Sequence, residues 1–116
     1  MKIYGIKNCD TMKKARKWLI DNKHDVEFHD YKKDGLAPEL LKQLVGELGW
    51  EAMVNKRGTT YRKLDDSIKD NLDEASAIGV MLDNPSIIKR PILEKESSKG
   101  SVYLLGFKAE QYQEFV

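Results

Sequence analysis

A chain of 116 residues, 41% hydrophobic and 34% charged, is long enough to bury one core and too short for two independent ones. Twenty basic residues against nineteen acidic leave a formal charge of +1, which excludes a global field for gripping nucleic acid or an anionic membrane, so any anion site must be local. No apolar run approaches the roughly 18 residues of a membrane span, and the opening MKIYGIKNCD turns polar too early for a secretory signal. The expected compartment is therefore the cytoplasm. One cysteine, Cys9, forbids an internal disulfide and agrees with a reducing environment. His24 and His29 are the only histidines and no ligand cluster surrounds them, so no metal is expected.

In chain order, KIYGI at 2–6 is short and apolar enough for a strand, and its Gly5 points to a close approach by another backbone or a ligand. From Thr11 onward Met12, Ala15, Trp18 and Leu19 recur at helical spacing among lysines and an arginine, predicting an amphipathic helix to about residue 22. Asp10, or Asn8 if the helix starts earlier, is the expected cap. VEFHDY at 26–31 sets Val26, Phe28 and Asp30 against Glu27, His29 and Tyr31, the period of a strand. Strand, helix and strand in this order make a βαβ unit with a parallel pair.

Gly35 then marks a turn, Pro38 suits a first helical position, and Leu40, Leu41, Leu44, Val45 and Leu48 form one face before Gly49 closes the helix. After a turn at 50–54 and the polar loop NKRGTTYRK, helical spacing resumes from Leu64 through Ile68, Leu72, Ala75, Ile78 and Leu82, with Asp70-Asn71 and Gly79 as possible breaks. SIIKRPIL and SVYLLG, separated by EKESSKG, read as a hairpin, and a last helix starts near Ala109. The order βαβ, helical insert, ββα describes an α/β protein with a mixed sheet.

Two positions carry chemistry. Cys9 stands where the first strand gives way to a helix, and free amides at a helix start favour a thiolate; the opposing reading is a buried small hydrophobe. Lys7, Lys13 and Lys14 add positive potential nearby while Asp10 opposes it. Pro91, inside a strand-like run, marks a special backbone, and its neighbour Arg90 offers a planar five-donor fork suited to an oxyanion or carboxylate. Arg90 can project towards the thiol if the hairpin lies beside the first strand; otherwise it covers a sheet edge.

GIKNCDTMKKARKWL, LGWEAMVNKRGTTYRKL and PSIIKRPIL, in this order, resemble the ArsC/Spx family of thioredoxin-like proteins, most closely its YffB-like branch. The resemblance spans nearly the whole chain. It implies a thioredoxin-like (glutaredoxin-like) mixed four-stranded sheet, from about 1–34 and 86–116, with a helical subdomain inserted at about 35–85. It implies a nucleophilic Cys9, Arg90 beside a cis-Pro91, and a further pocket arginine at Arg57, with Lys56 as the fallback. Lys108 is the candidate for a third basic residue, and Asn8 and Thr11 would offer an amide or hydroxyl to the sulfur or the anion.

The departures narrow the chemistry. Arsenate reductases of the family carry an HNPxCGTS-like loop, whereas Gly5 stands at the histidine position here, which argues against arsenate. Spx-type regulators use a Cys-x-x-Cys switch, and the fourth position here is Met12. With no second cysteine, an adduct on Cys9 must be resolved by an outside thiol. The resemblance suggests glutathione as co-substrate, or a glutaredoxin-like donor, with a small anionic or disulfide substrate and no bound cofactor. Two other readings compete: an Spx-like module that docks on RNA polymerase or another protein, using a patch near Trp50 and Tyr61, and a redox sensor capped reversibly by glutathione.

Overall fold

The computed structural model describes residues 1–7 and 9–116. Its chain divides into two compact units, one from Met1–Gly35 with Arg90–Val116 and one from Leu36–Lys89. The excursion thus runs slightly further than the 35–85 read from sequence, because Ile88 bridges to Val54 and the Lys89 amide donates to the Met53 carbonyl at 2.7 Å, both within the second unit.

The first unit is built on a four-stranded sheet in the order β2-β1-β3-β4, formed by β1 (Lys2–Gly5), β2 (Glu27–Asp30), β3 (Ile92–Ser97) and β4 (Gly100–Leu105). β1 and β2 are parallel, with Ile3 opposite Phe28 and Tyr4 opposite His29. β3 runs antiparallel to β1, with Ile3 opposite Leu93 and Tyr4 opposite Ile92, and β4 completes the hairpin. Because side chains alternate along a strand, Ile3, Phe28, Leu93 and Leu104 share one face. There Ile3 and Leu93 pack with Met12, Ala15 and Leu19 of α1 (Asp10–Asp21) and Tyr112 of α7 (Ala109–Phe115). Burial of these large apolar side chains, each about 1.5–3 kcal/mol, fixes α1 against the sheet and so fixes its N-terminus. The other face presents Tyr4, His29, Ile92 and Glu94. Tyr4 donates its hydroxyl proton to Glu94 Oε1 at 2.6 Å, and Tyr103 donates to Oε2 at 3.3 Å.

The mixed thioredoxin-like sheet expected from the sequence is therefore present. The hairpin is shifted: Ser86–Arg90 is not strand, Pro85–Ile87 forms a 3-10 turn, and the polar stretch EKES lies in β3. Glu94 reads as loop by composition, yet its register opposite Lys2 and Tyr103 gives the carboxylate partners on the sheet. The expected cap also differs: Cys9 itself is the N-cap of α1, and Asp10 is its first residue.

The second unit holds α2 (Pro38–Leu48), α3 (Trp50–Met53), α4 (Thr59–Arg62), α5 (Asp66–Lys69) and α6 (Glu74–Asp83). Pro38 opens α2 as anticipated, and Gly49 closes it at φ +85°, where a side chain would be strained. The helical spacing read across 64–82 is broken because Asp73 caps α6, accepting from the Ser76 amide at 2.8 Å while Ser76 returns a bond to the Asp73 amide at 2.9 Å. No helix among the described residues is long and apolar enough to cross a membrane.

Candidate functional site

Cys9 leaves β1 through Ile6 and Lys7 and stands immediately before α1 with extended backbone, φ −135° and ψ 126°. Its carbonyl accepts from the Lys13 amide at 3.0 Å, closing the first helical turn. The side chain makes no capping hydrogen bond and is partly exposed. The first amides of a helix have no partner within the helix, and here those of Met12 and Thr11 face the sulfur. Burial pushes the Cys9 thiol up, but the Met12 amide, the hydrogen bond and charge of Arg90, and the Thr11 amide outweigh it. Together they hold the thiol below its usual range. Burial is the largest single influence on the thiol, and only the donors and the guanidinium charge acting together exceed it and set the sign.

Arg90 is the first residue of the chain after its excursion through the second unit. The Arg90-Pro91 peptide bond is cis, as the resemblance implies, and Pro91 is buried. β3 begins one residue later, next to β1, so the guanidinium and the Cys9 sulfur reach the same end of the sheet from different stretches of sequence. Beside them Gly5 makes room: a carbon added there would stand 2.3 Å from the Met12 sulfur. Met12 is 1% exposed and fills that space. The glycine of the opening strand thus accommodates a neighbouring side chain, not a ligand.

The remaining candidates belong to several different elements. Thr11 is exposed, and it is its amide that faces the sulfur. Asn8 lies outside the described residues. Lys108 caps α7 through its backbone, its carbonyl accepting from the Tyr112 amide at 3.0 Å, and its side chain is exposed without a hydrogen bond or ion pair among the described residues. Lys56 and Arg57 belong to the second unit, where with Glu51, Val54, Asn55 and Lys89 they line a cleft of about 380 Å³. The Arg57 amide donates to Asn55 Oδ1 at 3.2 Å, holding that loop in a tight turn. Among the described residues there is no group of three histidine, cysteine, aspartate or glutamate side chains fit to hold a metal.

Sequence reasoning passed over Lys89, which adds a third cation to the Arg57 cleft, and Tyr31, which reads only as part of a strand's alternation and is buried. Its position at the carboxyl end of a parallel strand, where α/β sheets gather their sites, is the signal that could have singled it out.

Residues 4–115 match the model of the ArsC family. The chain belongs to the ArsC family. This ArsC-family chain is 49% identical to a solved structure of the YFFB (PA3664) protein, covering 97% of this chain and 96% of that one, with a TM-score of 0.88. An arsenate reductase related protein from Brucella melitensis is 49% identical over 98% of this chain and 92% of its own, with a TM-score of 0.78. The global transcriptional regulator Spx of Streptococcus mutans is 38% identical over 90 residues, which are 74% of this chain and 64% of the regulator.

Proposed function

We propose that this ArsC-family chain is a thiol oxidoreductase with Cys9 as its only nucleophile. The observation that carries the reading is the Arg90 guanidinium hydrogen-bonded to a sulfur that also faces two helix-start amides. Such a thiolate exists at neutral pH in a larger fraction than a free thiol, and it is the thiolate that attacks. Cys9 attacks one sulfur of a disulfide; a Cys9–substrate S–S bond forms, the old S–S bond breaks, and the leaving thiolate takes a proton from water. A second, external thiolate then attacks the adduct, releases Cys9 and carries away the other half as a new disulfide. The external thiol is needed because Cys9 is the only cysteine of the chain.

Glutathione, or a small protein thiol of the glutaredoxin kind, suits that role: its carboxylates match guanidinium forks. Arg57, with Lys56 and Lys89 in the same cleft, supplies cationic donors for an anionic substrate group. No resident cofactor enters the scheme. The expected setting is a reducing cytoplasm, where external thiols are abundant.

Similarity to Spx favours a second reading, in which the chain docks on a protein such as RNA polymerase and the thiol is incidental or serves as a reversible sensor. The readings separate on turnover. Oxidised glutathione should add once to the wild type and not to Cys9→Ser, and reduced glutathione should then drive repeated reduction of a small disulfide. An adduct without turnover supports the sensor. An alkylation midpoint at or above about 8.5, with no adduct, removes both thiol readings.

A further inference from the structure

The unit that carries Cys9 has a cleft of its own, about 210 Å³, lined by Lys7, Arg16, Phe28, Asp30, Lys33 and Asp34. Its walls come from three stretches: the turn after β1, the middle of α1, and the end of β2 with the loop that follows. The Arg16 guanidinium lies over the Phe28 ring, 4.4 Å from its centroid, a contact that holds the fork in place. Half-buried as it is, that fork makes no hydrogen bond or ion pair among the described residues. The two carboxylates of the cleft serve the loop backbone instead. Asp30 Oδ1 accepts from the Lys32 amide at 2.9 Å, and Asp34 Oδ2 accepts from the Asp30 amide at 3.0 Å. Lys7 and Lys33 are exposed and have no ion pair among the described residues.

Charge, size and reach define what such a cleft takes. Three cations against two carboxylates leave one positive charge, which suits a single carboxylate and not a multiply charged oxyanion. The volume is below the roughly 300–1,000 Å³ of sites that enclose a whole small molecule, so the cleft takes one end of a longer one. Cys9 is within reach of the rest. Lys7 precedes it by two residues, about 7 Å of backbone at most. Arg16 follows it by seven residues, two turns along the same face of α1 and about 10 Å away, and a long helical side chain leans back towards the N-terminus. A carboxylate one or two residues from a disulfide cysteine spans about 4–7 Å, and the Arg16 side chain covers the remainder.

We propose that this cleft receives a carboxylate of a peptide disulfide whose sulfur Cys9 attacks, with Arg16 as its principal donor and Lys7 and Lys33 beside it. The proposal rests on Cys9 acting as the nucleophile, and it narrows the substrates to disulfides with a free carboxylate near the sulfur. Arg16 forms no bond to sulfur and moves no proton, so the exchange steps set out above are unchanged.

The test uses the full chain and follows mixed-disulfide formation at Cys9 by intact mass. Oxidised glutathione, which bears carboxylates, is compared with 2-hydroxyethyl disulfide, which bears none, and the ratio of the two rates is taken. Arg16→Gln should lower that ratio about tenfold, the worth of a hydrogen bond between charged partners. Lys7→Gln, a change at an exposed position, should lower it about threefold. Lys17→Gln removes the same charge from the next position of α1, where the ammonium stands 2.7 Å from Asp21, and should leave the ratio as in the wild type. An unchanged ratio in Arg16→Gln, or an equal fall in Lys17→Gln, overturns the proposal. If Arg16→Gln does not fold, the ratio in Lys7→Gln decides in the same way. A wild type that forms an adduct with neither disulfide defeats the nucleophile reading itself, whereas adducts with both and equal ratios in all variants defeat only the subsite.

Discussion

Met12 occupies the space that a side chain at Gly5 would need, its sulfur lying 2.3 Å from where a β-carbon would stand. Gly5→Ala should therefore overpack the core by about 1–3 kcal/mol. Met12→Ala alone should cost about 2–5 kcal/mol by leaving a cavity. In urea unfolding the double variant should be more stable than the sum of the two losses predicts, by at least about 0.5 kcal/mol. Strict additivity would mean that the two residues do not meet.

Arg90→Ala should raise the pH midpoint of Cys9 alkylation and slow the reaction at pH 7, roughly tenfold for each pKa unit regained. Linkage gives a second readout. A thiol held low in the folded state contributes stability that is fully present above the free-thiol value of about 8.5 and lost as pH falls through the folded one. The wild type should accordingly gain stability over Cys9→Ser on going from neutral pH to about 9, and Arg90→Ala should shrink that gain. An identical midpoint in wild type and variant would separate Arg90 from the sulfur.

Arg57→Ala should raise KM for an anionic disulfide about fivefold, the loss expected of one exposed charge contact of about 1 kcal/mol, and leave the alkylation midpoint of Cys9 unmoved. Arg90→Ala should move both. A shift of the midpoint in Arg57→Ala would assign that arginine to the sulfur itself.

Tyr4→Phe removes the donor 2.6 Å from Glu94 Oε1 and should cost about 1–3 kcal/mol at pH 7. Burial raises Glu94, but the hydroxyls of Tyr4, Ser101 and Tyr103 and the charge of Lys2 outweigh it and hold the carboxyl below its ordinary range. Its contribution is present above about pH 4.3 and lost as the solution is acidified through the lowered value. Tyr4→Phe should thus show a shallower decline than the wild type as pH falls below about 4.3. Parallel pH profiles in thermal melts would count against the network.

Much of the sheet unit was legible because its signals are local. The short apolar run at 2–6, the spacing of Met12, Ala15 and Leu19, and the position of Cys9 before a helix each depend on neighbours in sequence. The boundaries that shifted are those set by distant partners. Glu94 and Glu96 look like loop residues until β4 is laid beside them, and Ile88 looks like strand until Val54 takes it into a bridge of the second unit. The break before α6 was visible only as a choice, since the Asp73–Ser76 capping pair is written in two ordinary polar residues. Arg90 could be nominated from Pro91 and the hairpin, whereas Tyr31 offered only its place at the end of a strand, since nothing in HDYKK distinguishes a buried phenol from an exposed one.

The residue that opens α1 divides its labour between backbone and side chain. The carbonyl of Cys9 completes the opening turn by accepting from Lys13, while its sulfur takes no share in capping. A covalent passenger can accordingly be loaded and removed with the backbone bond of the opening turn still in place, while the charge on the sulfur is what the Met12 and Thr11 amides respond to.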